Sequence, residues 1–161
     1  SKNDALLTSG GAWKSERDLT TKILDEMGWE MFFHRVRIGP GKAVALGVLN
    51  GKPIFCLPGG HPSNEMAFLQ IALPGLLQMA GKSPVPFPLR KVRLAEEVSG
   101  DITWTQFFQA TLEKREGEWW AIPHRMKSRI QSQARAQALI RIPEGVESVA
   151  PGNIIEVQIL F

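Results

Sequence analysis

The stretch Ala5-Leu6-Leu7-Thr8-Ser9-Gly10-Gly11 and its counterpart Ile54-Phe55-Cys56-Leu57-Pro58-Gly59-Gly60-His61-Pro62-Ser63 decide the fold. In each, an apolar run of strand length ends in a paired-glycine turn, and a polar segment fit to open a helix follows. After the first turn come Ser15 as an N-cap and Glu16 and Asp18 as first-turn acids, then Leu19, Ile23, Leu24 and Met27 along one helical face, with Gly28 as the stop. After the second, a helix is predicted from about Asn64 to Met79, kinked or split by Pro74. Such turns place backbone N–H groups and the positive end of a helix dipole at one edge of a sheet, where an anion can dock.

Between the two units, Phe33–Ile38 alternates as a strand, with Arg35 and Arg37 on one side and Val36 and Ile38 on the other, and leads into Gly39-Pro40-Gly41-Lys42. Val44–Leu49 and Pro53–Leu57 flank Asn50-Gly51, a hairpin signal because both residues tolerate positive φ. The proline-rich run from Lys82 to Pro88 reads as a semi-rigid linker. Beyond it, short β segments near Val92–Ala95, Phe107–Lys114, Glu118–Ile122, Ala138–Ile142 and Ile154–Phe161 alternate with glycine turns, as in a small sandwich or barrel. The expected division is an α/β layer domain over 1–83, a linker over 84–91 and a β domain over 92–161.

At 161 residues, 43% apolar and 22% charged, the chain has the composition of a soluble globular protein with room for one or two small cores. Residues 1–91 carry 11 Lys and Arg against 7 Asp and Glu, whereas 92–161 carry 8 against 9. The basic excess thus lies with the glycine turns, as an anionic ligand favours. The single Cys56 excludes an internal disulfide and a cysteine metal cluster and reads as a buried strand thiol. No apolar run reaches membrane-spanning length and nothing reads as a signal peptide, so no membrane is expected and a cytoplasmic setting is the default. A start at Ser1, almost directly into a strand, suggests a fragment of something longer.

The ordered series Ser9-Gly10-Gly11, Asp18, Pro40-Gly41-Lys42, Leu57-Pro58-Gly59 with Ser63, and the proline-kinked helix resembles the C-terminal half of the molybdenum-cofactor domain of the MoeA/gephyrin E-domain family, the molybdopterin molybdenumtransferases. The tail, from Ala134-Arg135-Ala136-Gln137-Ala138 through Pro143-Glu144-Gly145 to Pro151-Gly152-Asn153, is similar to that family's terminal β-barrel. The resemblance implies a partial three-layer α/β domain followed by a small barrel. It also implies further domains upstream and a homodimer in the full-length protein. The implied reaction is insertion of molybdate into adenylylated molybdopterin with release of AMP, and it implies a divalent cation such as Mg2+. Asp18 then matches the active-site carboxylate, holding the metal ion or moving a proton. The pterin and oxyanion would be cradled by Ser9, Gly10 and Gly11, by Pro40, Gly41 and Lys42, and by Pro58, Gly59, Gly60 and Ser63.

Each of these residues also has an ordinary explanation. Asp18 suits a helix dipole, Lys42 a solvated loop, and Ser63 a helix cap. His34 and His124 read as structural, while His61, inside the second turn, is placed to contact a ligand. The five tryptophans, including Trp119-Trp120, read as core. Arg125, Lys127, Arg129, Arg135 and Arg141 form an acid-free basic stretch, but the neutral balance of 92–161 argues against nucleic acid and for a basic rim. Ser128 and Ser132 fall where the family has a serine-bearing loop.

The sequence departs from the family at Trp13-Lys14-Ser15, at Gly39 in place of a lysine, at Gly60-His61 in place of an asparagine, and at Gln109 in place of an arginine. Lys14 restores one cation. The rival reading is a degenerate molybdopterin-binding or scaffold module that inserts no metal, and a less favoured one is an adenylyltransferase acting one step earlier. The residues do not distinguish molybdate from tungstate.

Overall fold

The computed structural model describes residues 3–12, 19–125 and 129–160. It divides into two units, residues 1–36 with 40–86 and residues 37–39 with 87–161. Its first elements are β1 (Leu6–Ser9), α1 (Leu19–Glu26), β2 (Glu30–His34), β3 (Ile38–Gly39), β4 (Ala45–Leu49) and β5 (Lys52–Leu57). A continuous helical run follows, made of α2 (His61–Ala67), a π-helical turn over Phe68–Ala72, and α3 (Leu73–Met79).

In the first unit the sheet order is β1-β5-β4-β2. β1 pairs in parallel with β5, Ser9 opposite Leu57, while β4 is antiparallel to both β5 and β2. β1, β5 and β2 therefore run the same way and end at one edge of the sheet. The β5 side chains alternate between two cores. Ile54 and Cys56 pack with Leu24, Trp29 and Ala45 on the α1 face, and Phe55 and Leu57 pack with Val44, Ala67 and Ala72 on the other. That alternation builds the three layers. Cys56 is wholly buried, and burial pushes its thiol above the usual range. Asn50 (φ 52°) and Gly51 (φ 75°) supply the two positive angles that the two-residue β4–β5 turn needs.

The helix starts at His61, three residues before the predicted Asn64. Pro74 has no N–H to give and would clash with the carbonyl of Gln70, and the chain accommodates it with the π turn directly upstream. Two other expectations fail here. The strand predicted over Phe33–Ile38 ends at His34, because Arg35 turns out at φ 76° and Arg37–Gly39 passes to the second unit. On α1 only Leu24 of the predicted apolar face is buried; Leu19, Ile23 and Met27 are half exposed, since nothing in the described chain covers them.

The second unit contains β6 (Leu89–Leu94), β7 (Val98–Ser99), β8 (Thr105–Arg115), β9 (Glu118–Pro123), α4 (Arg129–Arg135), β10 (Ala138–Ile142), β11 (Ser148–Val149) and β12 (Ile154–Ile159). Because β6 begins at Leu89, the last three residues of the expected linker are strand. The order β10-β12-β6-β9-β8 closes on itself through β8–β10, giving a five-stranded barrel, and β3 adds outside it along β8. Ala110, Ala121 and Ala138 interleave with Leu94, Ile140, Ile142 and Val157, and this small-large mixture fills a narrow interior. Closure leaves none of these five strands with a bare edge.

Trp119 and Trp120 are not core residues. Trp119 is 37% exposed with the Arg90 guanidinium 5.2 Å from its ring, and Trp120 lies 5.4 Å from Arg115. Ala121 and Pro123 take the buried places of β9; Trp120 lies on the opposite face, and Trp119, on the Ala121 face, falls at the exposed end of the strand. Beside them Arg93 grips Glu118 through two hydrogen bonds of 2.6 and 3.0 Å, which holds the carboxyl below its usual range.

Ile140→Ala should lower stability by about 2–5 kcal/mol in chemical denaturation, against less than about 1 kcal/mol for the exposed Ile154→Ala. Equal losses would contradict the closed barrel. The lowered Glu118 pKa means that its stabilisation is present above the usual carboxylate pKa and disappears as pH falls through the depressed value. Glu118→Gln should therefore flatten the acid limb of a stability-against-pH curve.

Candidate oxyanion site

The site begins with two backbone turns pressed together. Gly10 donates its N–H to Leu57 O (2.9 Å), continuing the β1–β5 ladder one step past the strands. A Cβ on Gly59 would stand 3.3 Å from the Gly10 Cα. Gly10 (φ 88°) and Gly11 (φ 70°) both take left-handed angles, and a Cβ on Gly11 would lie well inside contact distance of the Thr20 hydroxyl. Gly11 has no room for a Cβ, and the left-handed angles of Gly10 and Gly11 favour glycine at both.

Side chains then fix the turns from three directions. Thr20, in the first turn of α1, donates to Gly10 O at 3.1 Å. His34, the last residue of β2, donates its Nε2–H to Ala12 O at 2.6 Å. Asn64 on α2 spans both turns, since its amide donates to the Ser9 hydroxyl at 3.0 Å and to Pro58 O at 2.8 Å. Sequence reasoning assigned no role to Asn64 and treated His34 as structural. The polar residue one helical turn into α2 was the available signal for Asn64.

These turns border a cleft of about 310 Å³ at the C-terminal edge of the sheet, lined by Gly11, Ala12, Lys42, Ala43, Pro58, Gly59, Gly60 and Ser63. Six of the ten expected cradle residues thus meet there: Gly11, Lys42, Pro58, Gly59, Gly60 and Ser63. Ser9 and Gly10 stand behind them as supports, and Pro40 and Gly41 are not on the lining. Asp18, together with Trp13, Lys14 and Ser15, lies outside the described residues. Ser63 is not the helix cap. That place belongs to Gly60, in extended backbone with no side-chain bond and open space where a Cβ would be. His61 is exposed at the first position of α2 and does not line the cleft. The cleft is an open, mixed polar and apolar pocket with a lysine at its wall, able to take a phosphate or small oxyanion.

The remaining expected positions belong to the second unit. Gly39 pairs with Gln106 in the β3–β8 ladder, and a Cβ there would run into the Gln106 amide. Gln109 sits on β8 opposite Leu139. His124 is the centre of a small network: Nδ1 donates to Ser132 O (3.0 Å), the Ser132 hydroxyl is also 3.0 Å away, and Nε2 meets the Thr111 hydroxyl at 2.6 Å. It ties α4 to β8, which accounts for the buried Ser132; Ser128 and Lys127 lie outside the described residues. Arg125 is held by Glu96 (3.0 Å) and the Glu97 carbonyl (3.0 Å), so the basic stretch is partly neutralised.

Among the described residues no cluster of three or more His, Cys, Asp or Glu could hold a metal ion. No helix among them is long and apolar enough to cross a membrane.

Asn64→Leu keeps approximate size but leaves Pro58 O without its donor, and should cost about 1–3 kcal/mol in urea unfolding of the first unit. A loss under about 0.5 kcal/mol would show that the two turns hold together without the amide.

Residues 1–78 match the family described as "Probable molybdopterin binding domain", and residues 91–160 match "MoeA C-terminal region (domain IV)". The chain is 31% identical to a "Putative molybdopterin biosynthesis protein" of Methanocaldococcus jannaschii over 99% of its own length and 37% of the relative's. It is 28% identical to the molybdenum cofactor synthesis protein cinnamon of Drosophila melanogaster, over 87% of this chain and 24% of that one. The solved structure of a molybdopterin biosynthesis MoeA protein from Pyrococcus horikosii superposes with a TM-score of 0.78 at 32% identity, covering 98% of this chain and 37% of its own. The chain thus spans little more than a third of the relatives it matches most fully. Two matches in the right order, and a structural likeness running through both, place the chain in the MoeA/gephyrin E-domain family, the molybdopterin molybdenumtransferases of molybdenum cofactor biosynthesis.

Proposed function

We propose that the complete protein inserts molybdate into adenylylated molybdopterin and releases AMP, and that the cleft beside Gly11 and Gly59 holds the reacting anionic groups. The observation that carries this reading is the meeting of two glycine turns with Lys42 at one sheet edge, in a cleft of about 310 Å³. Release of AMP breaks a phosphoanhydride link as an oxygen of water bonds to the phosphorus, and negative charge gathers on the departing phosphate oxygens. A fixed ammonium and turn backbone are suited to stabilise such charge because they need little reorganisation. In this reading Ser9 and Gly10 set the turn, Gly11, Pro58, Gly59, Gly60 and Ser63 line the ligand, and Pro40 and Gly41 aim Lys42. Asp18 holds a divalent cation such as magnesium or moves a proton, together with groups beyond the described residues. The half-exposed Leu19, Ile23 and Met27 support burial against further chain or a second subunit, in keeping with a homodimeric cytoplasmic enzyme.

Asp18→Asn in the complete protein should abolish most AMP release from adenylylated molybdopterin and molybdate while changing thermal unfolding by no more than about 1 kcal/mol, the scale of a lost helix-end interaction. Lys42→Ala should weaken substrate binding about tenfold, as for a charged hydrogen bond. AMP release at the wild-type rate in both variants would contradict the assignment.

A further inference from the structure

The carbonyls of the two glycine turns are taken up by side chains from other elements. Gly10 O accepts from the Thr20 hydroxyl on α1 (3.1 Å), Pro58 O from the Asn64 amide on α2 (2.8 Å), and Ala12 O from the His34 imidazole on β2 (2.6 Å). Ala12 and Pro58 line the cleft, whereas His34 and Asn64 do not. A carbonyl oxygen carries partial negative charge and repels an anion brought beside it. Once it accepts from a donor outside the cleft, that charge is partly offset and its direction is fixed.

His34 reaches Ala12 from a fixed place. It lies opposite Ala45 in the β2–β4 ladder, and Ala45 lies opposite Cys56, so its side chain stands on the α1 face of the sheet. The N–H of the next residue, Arg35, bonds to Val44 O (2.8 Å) and extends the pairing one step past the strand. A carbonyl only accepts, so Nε2 carries the hydrogen of the short bond to Ala12 O. Ala12 itself is 1% exposed and packs in the core with Leu24 and Trp29. We propose that His34 is a positioning residue of the cleft: by holding the Ala12 carbonyl it keeps that oxygen from the bound anion and sets the wall that Gly11 and Ala12 form. The inference rests on the cleft being the anion site proposed above. Nε2 can hold its hydrogen in the neutral ring and in the imidazolium alike, so the role needs a donor and not a charge.

The test is titration calorimetry of the complete protein with inorganic pyrophosphate, for wild type, His34→Gln, His34→Phe, His34→Asn and Lys42→Ala. Glutamine can bring an amide N–H to the place of Nε2, phenylalanine keeps the ring without a donor, and asparagine keeps a donor on too short a stem. His34→Phe should bind pyrophosphate about tenfold more weakly and His34→Gln within about twofold of wild type, the difference being one carbonyl left without its donor. His34→Asn should show the loss of the phenylalanine variant and carries the test if that variant folds poorly. Equal losses in all three His34 variants would overturn the inference, because the ring or its charge would then matter and not the donor. Wild-type affinity in all three, with a loss in Lys42→Ala, would overturn it and leave the cleft standing. No pyrophosphate binding by wild type would overturn both.

Discussion

The contact between Gly10 and Gly59 is the constraint on which the first unit depends. Parallel pairing of β1 with β5 brings the two strand ends level, with Ser9 opposite Leu57. The turns that follow have to pass each other before the chain can enter α1 and the long helical run. A Cβ on Gly59 would crowd Gly10 Cα at 3.3 Å, and Gly10 needs glycine for its φ of 88°. Because they touch, one amide, that of Asn64, can serve both, and Thr20 and His34 can anchor the first turn from different elements. The cleft is a by-product of this economy of space: the strands bring the backbone to the edge, and the turns leave a gap there that no bulky side chain occupies.

The cores on either side of this sheet are unequal. The helical run covers one face with Ala67, Ala72 and their neighbours, whereas α1 contributes only Leu24 to the other. Leu6 on β1, Leu19 and Ile23 on α1 and Met27 just after it remain 47–58% exposed. Relatives that are nearly three times as long as the matched region have chain available to cover such a surface. The barrel contrasts with this. Its five strands close on their own interior, where Leu94, Ile140 and Ile142 are buried among the described residues.

Much of this was legible in the sequence because it rests on local rules. Asn50-Gly51 declared its hairpin, the strand-turn-helix order declared the layers, and the spacing of glycine turns declared small β structure beyond Phe87. Three things were not legible, each for a non-local reason. Arg35 breaks an alternation that looked regular because the chain must leave one unit and touch the other before returning. The roles of Asn64 and His34 exist only once two distant turns are side by side. Trp119 and Trp120 read as core because their segment alternates like a strand, but Trp120 lies on the face opposite the buried Ala121 and Trp119 at the strand's exposed end. At the site, residue type was enough to bring forward Lys42, Gly59 and Ser63, but Ser63 looked like a cap because helix starts cannot be placed within two or three residues by pattern.

The most direct measurement of the central claim, that the touching glycine turns frame an oxyanion site, is anomalous diffraction from crystals of the complete protein soaked in tungstate. The account predicts a tungsten peak beside Gly11 and Gly59–Gly60, within reach of Lys42. Tungsten found only on the barrel surface, with the cleft empty at the same soak concentration, would contradict it.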